Sequence, residues 1–163
     1  MNKLRDEFTE RLLIDGGIEK GMRVLDAGCG SGDVSIMAAE LMGNSGEVIG
    51  CDISENAITI AGNAVKEKHI PIVKFIQADI SGLPDSIGSF DAIIGRRVLM
   101  YQSDAAQSIH SLLPYLAAKG KMIFQESDCM LSSFHACSMP LHTKVQAWIW
   151  DTVAKEGGNI HIG

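Results

Sequence analysis

Val24-Leu25-Asp26-Ala27-Gly28-Cys29-Gly30-Ser31-Gly32-Asp33 is a short apolar run that ends in an acid, turns glycine-rich and opens a helical pattern from Val34 to Leu41. Glycines at such a junction let the backbone turn tightly and approach a ligand with no Cβ in the way. The N–H groups of the following helix's first turn are unpaired and point into the same space. The stretch therefore predicts a strand–loop–helix that holds a small polar ligand against its backbone.

Upstream, Leu4, Phe8, Leu12 and Ile14 share one side of a helix predicted over 3–14 and stopped by Asp15-Gly16-Gly17. The strand that feeds the glycine loop spans 22–26, and Gly43 closes the helix that follows it. Further strands are predicted over 47–51, 72–76, 90–94 and 121–125. Ser54 caps a helix carrying Ala57, Ile58, Ala61, Ala64 and Val65, and Ser103 caps another carrying Ile109, Leu112, Leu113 and Leu116, with Pro114 distorting its last turn. A final helix over 141–153 lines up Leu141, Val145, Trp148, Ile149 and Val153, with Trp150 off that stripe. Strands alternating with helices predict an α/β fold: a doubly wound, mostly parallel sheet with helices on both faces.

At 163 residues, with 46% hydrophobic and 21% charged side chains, the chain is expected to form one domain with a sizeable core. A net charge of −6 argues against a nucleic-acid backbone or an anionic membrane surface as its main partner. The charged N-terminus does not read as a signal peptide, and no run approaches the ~18 apolar residues of a spanning helix. The four cysteines, Cys29, Cys51, Cys129 and Cys137, form no CxxC pair. Free thiols in a cytoplasmic protein are the expectation. Cys129, His135, Cys137 and His142 match no zinc spacing, so no metal site is expected.

Open α/β sheets bind ligands at the carboxyl ends of their strands. Here those ends read Asp26-Ala27-Gly28, then Asp52, Asp79, Gly95-Arg96 and Glu126. Any one of these acids alone would be a solvated turn residue or a cap; together they place three Asp, a Glu, an Arg and a glycine loop on one rim. A nicotinamide dinucleotide would want G-x-G-x-x-G and an acid about 20 residues on. Asp52 suits the acid, but the third glycine position holds Asp33, which would repel a pyrophosphate at the helix mouth.

S-adenosylmethionine carries no phosphate, and here the motifs become specific. Asp26-Ala27-Gly28-Cys29-Gly30-Ser31-Gly32 resembles the first motif of class I methyltransferases. Cys51-Asp52-Ile53-Ser54 resembles their ribose-binding turn, Ala78-Asp79-Ile80 their adenine-contacting turn, and Phe90-Asp91-Ala92-Ile93-Ile94-Gly95-Arg96 their fourth motif. Through Gly95-Arg96-Arg97-Val98-Leu99-Met100-Tyr101 the chain is most similar to the ubiquinone/menaquinone-biosynthesis-like small-molecule group. The resemblance covers roughly 21–126 and implies a Rossmann-like fold. It divides the chain into an N-terminal helix (1–20), a cofactor-binding core (21–126) and a substrate-side segment (127–163).

The resemblance also implies roles. Asp52 would accept from the ribose hydroxyls, Asp79 would face the adenine amino group, and Ile53 and Ile80 would pack on the ring. Gly28, Cys29 and Gly30 would let the methionine part lie on backbone. Asp26 would brace the loop or reach the amino group, and the Gly95 carbonyl would meet the same ammonium. Arg96 would join this set or bind a substrate anion, with an ion pair to Asp91 or Glu126 as the alternative. Asp91 itself would orient its strand from beneath. Glu126, His135 and Tyr101 are the candidates for catalysis, with Arg97 and Asp128 also on the substrate side.

Two departures stand out. Ala118-Lys119-Gly120 replaces the usual Pro-Gly-Gly, and the chain ends at Gly163 where the group would continue with a helix and an antiparallel strand pair. A truncated methyltransferase is thus expected, with an uncovered C-terminal region open to a homodimer. Trp150 would have lost a covering neighbour, line a substrate pocket or meet a second chain. The expected function is S-adenosylmethionine-dependent methylation of a small molecule. Cofactor binding without turnover is the alternative, and an NAD(P)-dependent oxidoreductase the remote one.

Overall fold

A computed structural model describes residues 3–127, 140–159 and 162, with side chains described from Asp6 onward and, in the last helix, at positions 144, 145 and 147–155. The chain runs α1 (Lys3–Asp15), β1 (Arg23–Ala27), α2 (Asp33–Met42), β2 (Glu47–Asp52), α3 (Glu55–Glu67), β3 (Val73–Gln77), β4 (Phe90–Arg96), α4 (Ala105–Leu112), β5 (Leu116–Gln125) and α5 (Pro140–Lys155). The strands form one sheet in the order β3-β2-β1-β4-β5, and every pairing is parallel. All carboxyl ends therefore open on the same rim.

Period-2 alternation sorts each strand's side chains onto two cores. Val24, Val48, Val73, Ala92 and Ile94 pack with Leu13 of α1, Val34, Ala38 and Met42 of α2 and Val65 of α3. Leu25, Ala27, Ile49, Cys51 and Ile93 face the other way, toward Leu83, Phe90, Leu99 and Leu112 of α4. Helices thus cover both faces. At the amino ends, the Arg23 backbone N–H donates to Asp91 (2.8 Å), and the Arg23 guanidinium pairs with Glu47 (2.7 Å) while lying 4.4 Å from the Phe90 ring centre. Asp91 does orient its strand from beneath, as the sequence suggested.

Three local expectations change. Phe8 and Ile14 of α1 are solvent-facing (60% and 48% exposed), while Thr9 and Leu13 are buried. Periodicity missed this because the buried turn of α1 is chosen by a polar contact, Thr9 donating to the Gln125 amide oxygen of β5 at 2.7 Å. Asp104, not Ser103, caps α4, its carboxylate accepting from the Gln107 N–H at 2.9 Å. Ser54 caps α3 as read, and Pro114 distorts the end of α4 as read: after Leu112 the helix gives way to a 3-10 turn over Leu113–Tyr115. The expected apolar stripe of α5 is exposed at Val145, Trp148 and Ile149. Trp150 is the half-buried one, its indole N–H enclosed and without a partner among the described residues. No helix among the described residues is long and apolar enough to cross a membrane.

Candidate functional site

The glycine loop after β1 is tied down from β2. The Cys29 N–H donates to the Cys51 carbonyl and the Gly30 N–H to Asp52 Oδ2, both at 2.9 Å. Gly28 has φ 65°, and a Cβ there would lie 2.4 Å from Val98 Cγ2, so the loop and the segment after β4 approach closely only because the side chain is missing. At Gly30 (φ 53°) an added Cβ would touch nothing within 4 Å. It would stand in open space, and that space is the cleft.

Two cavities meet over this loop. The larger, about 560 Å³, is bounded by Gly28 and Gly30, by Asp52 and Ile53 after β2, by Asp79 and Ile80 after β3, and by Tyr101 and Glu156 opposite. The smaller, about 120 Å³, lies between Asp26, Cys29, Ser31, Asp33 and Arg96. Gly28, Gly30, Arg96 and Arg97 wall both. A ligand spanning the two would cross the glycine loop at Gly28 and Gly30.

Asp26 is the deepest group, 1% exposed. Its Oδ2 accepts from the Ser35 hydroxyl at 2.5 Å, which braces α2, and its Oδ1 has no partner among the described residues. Burial pushes the carboxyl up to about 7, against the Ser35 hydrogen bond and the Arg96 charge, which pull it down. Asp52 divides its oxygens between the Gly30 N–H and the Ser54 N–H (both 2.9 Å), leaving lone pairs on each for a further donor. Asp79 accepts from the backbone and hydroxyl of Ser81, which hold it below its ordinary value. Burial drives the Cys29 and Cys51 thiols upward, Cys51 to about 12, so neither presents a thiolate.

Arg96 does not pair with Asp91 or Glu126. Its guanidinium, largely buried, meets Asp6 of α1 at 3.4 Å, Asp33 at 3.8 Å and Thr9 at 3.3 Å. These are long contacts for five N–H donors, and the group keeps capacity toward the cleft. Glu126 also bounds neither of these two cavities. Its carboxylate accepts from the N–H groups of Val98 (3.1 Å), Leu99 (2.9 Å) and Met100 (3.3 Å), fixing the 3-10 turn Leu99–Tyr101. Gly95 lines neither cavity: it lies inside β4 opposite Phe124, where a Cβ would come within 2.7 Å of the ring. Of the three catalytic candidates Tyr101 alone is placed on the wall; His135, like Asp128, Cys129 and Cys137, lies outside the described residues.

Glu156 was not anticipated. Gly157 (φ 87°) turns the chain after α5, Gly158 lies against Val153 and the Met100 carbonyl, and the Asn159 N–H donates to that carbonyl at 2.7 Å. This brings Glu156 to the larger cavity beside Gln102 and Ser103. The Gly157-Gly158 pair was the available signal.

A family profile described as a methyltransferase domain matches residues 18–158. A demethylmenaquinone methyltransferase of Lactococcus lactis is 41% identical over 108 residues, 66% of this chain and 43% of that protein. A ubiquinone/menaquinone biosynthesis C-methyltransferase of Azotobacter vinelandii is 31% identical over 130 residues, 77% of this chain and 49% of its own. This chain thus spans about half the length of the curated relatives it matches, or less. Among solved structures, a SAM-dependent methyltransferase from Aquifex aeolicus superposes with TM-score 0.61 at 22% identity, covering 66% of this chain and 57% of that one, a likeness of fold. Profile, relatives and sheet order agree: the chain belongs to the methyltransferase domain family.

Proposed function

We propose that this chain binds S-adenosylmethionine across the two cavities and positions its methyl group for transfer to a small-molecule acceptor. The observation that carries the reading is the buried carboxyl of Asp26, which bounds the smaller cavity together with Arg96 and whose Oδ1 has no partner among the described residues. An amino-acid tail is a zwitterion. Its ammonium suits Asp26, its carboxylate suits the under-used donors of Arg96, and a phosphate would meet Asp26 and Asp33 instead.

At the other end, the free lone pairs of Asp52 suit two ribose hydroxyls, and Ile80 with the exposed Ile53 offers apolar faces to a purine. Asp79, held ionised by Ser81, is an acceptor for an exocyclic amino group. When bound, the cofactor supplies a methyl group made electrophilic by its sulfonium. The chain's share is to hold, align and dry: the Gly28–Gly30 backbone sets the bend between the cavities, and Val98 and Tyr101 bound the space where an acceptor would approach. Curated relatives named for methyl transfer to demethylmenaquinone support the reaction class.

Calorimetric titration with S-adenosylhomocysteine and, separately, with NAD tests the reading. Saturable binding of the first and none of the second is expected. The reverse pattern, or no heat from S-adenosylhomocysteine, would overturn it.

A further inference from the structure

Among the described residues, three that are not glycine have left-handed backbones: His69 (φ 56°), Arg97 (φ 55°) and Lys119 (φ 67°). His69 follows the C-terminus of α3, where such a conformation ends a helix, and Lys119 lies where the β5 register shifts against β4. Arg97 lies in neither setting. It follows β4 directly, its backbone N–H donating to the Gln125 carbonyl at 2.7 Å, and it walls both cavities. Glycine would adopt this backbone without the steric cost that any L side chain incurs. A side chain kept at such a position beside a cleft points to a use for that side chain.

The adjacent arginines are treated differently. Arg96 is largely buried and faces Asp6, Asp33 and Thr9. Arg97 is exposed, and among the described residues its guanidinium has no ion pair or hydrogen bond. Asp26, Asp33, Asp52, Asp79 and Glu156 all wall the same cavities, yet none comes within 4.0 Å of it. Asp26, Asp33, Asp52 and Asp79 have partners or assigned roles in the cofactor reading, Glu156 stands at the far end beside Gln102 and Ser103, and Arg96 takes the cofactor's carboxylate at the deep end. The planar fork of Arg97 remains, at the junction where the acceptor and the methyl group must meet.

Resting on that cofactor reading, we propose that Arg97 is the anchor for an anionic group, a carboxylate or an equivalent oxyanion, on the methyl acceptor. A guanidinium holds such a group bidentately, fixing both its distance and its plane. Arg97 thereby sets the direction from which the nucleophile approaches and selects anionic acceptors over neutral ones of the same shape.

The test is a ligand-observed NMR titration of the chain saturated with S-adenosylhomocysteine, using benzoate and its neutral isostere benzamide. Arg97→Gly and Arg97→Lys are compared with wild type. Benzoate is expected to bind at least tenfold more tightly than benzamide to wild type, with the preference lost in Arg97→Gly and partly kept in Arg97→Lys. S-adenosylhomocysteine affinity should stay within twofold in all three, and the melting temperature of Arg97→Gly should be equal or higher because its backbone is relaxed. The proposal is overturned by no charge preference in wild type, by a preference that survives Arg97→Gly, or by a loss of S-adenosylhomocysteine affinity in that variant, which would make Arg97 a cofactor ligand. Failure of wild type to bind S-adenosylhomocysteine at all would instead sink the cofactor reading, and this inference with it.

Discussion

Asp26→Asn removes a negative charge from the deepest point of the cleft while keeping the side chain's shape. In the folded chain the carboxyl is pushed up to about 7 by burial, against an ordinary 3.8. Three units at ~1.4 kcal/mol each amount to ~4 kcal/mol. Below pH 3.8 the carboxyl is protonated in folded and unfolded chains alike and costs nothing. As pH rises toward 7 the unfolded chain ionises first, so the folded state loses stability, and above 7 the full penalty is present. Asparagine escapes that penalty but weakens the bond to Ser35. Urea denaturation should therefore show the variant and wild type close together near pH 4.5, with the variant ahead by ~2–4 kcal/mol at pH 8. The same substitution should weaken S-adenosylhomocysteine binding at pH 8 by at least ~1.5 kcal/mol, since the ammonium loses a charged acceptor. A variant less stable than wild type at pH 8, a pH-independent difference, or undiminished affinity would refute the reasoning.

Asp52→Ala should cost at least ~1.5 kcal/mol of S-adenosylhomocysteine affinity by calorimetry; equal affinity would remove the ribose role. Glu126→Ala strips three backbone N–H groups of their acceptor and should lower stability by ~2 kcal/mol in urea. A loss below ~0.5 kcal/mol, within the range of ordinary surface changes, would show that the Leu99–Tyr101 turn does not need it. Gly28→Ala forces a Cβ against Val98 at φ 65° and should destabilise by ~1–3 kcal/mol. Adding Val98→Ala should recover part of that loss in thermal melts, and no recovery would point to the backbone alone.

The sheet was legible because β1, β2 and β4 are short buried apolar runs bounded by glycine or charged residues, a local signal that survives folding. The rim acids Asp52 and Asp79 were legible for the same reason: Asp52 ends β2, and Asp79 follows two residues after the end of β3. What the sequence hid was pairing across distance. Arg96 finds Asp6 ninety residues upstream, and Thr9 meets Gln125 across 116 residues, contacts that no periodicity encodes. Glu126 read as a chemical group because a strand-end acid looks the same whether it faces a ligand or caps a turn. Gly95 read as a ligand contact through its carbonyl, and nothing local announced that its missing Cβ also makes room for Phe124. Glu156 reaches the cleft only through the glycine turn after α5.

A crystal structure of the chain with S-adenosylhomocysteine examines the central claim most directly. The account predicts the adenine between Ile53 and Ile80 with its amino group at Asp79, the ribose hydroxyls on Asp52, and the ammonium within ~3.2 Å of Asp26 Oδ1. A ligand lying the other way round, or seated outside the two cavities that meet at Gly28 and Gly30, would contradict it.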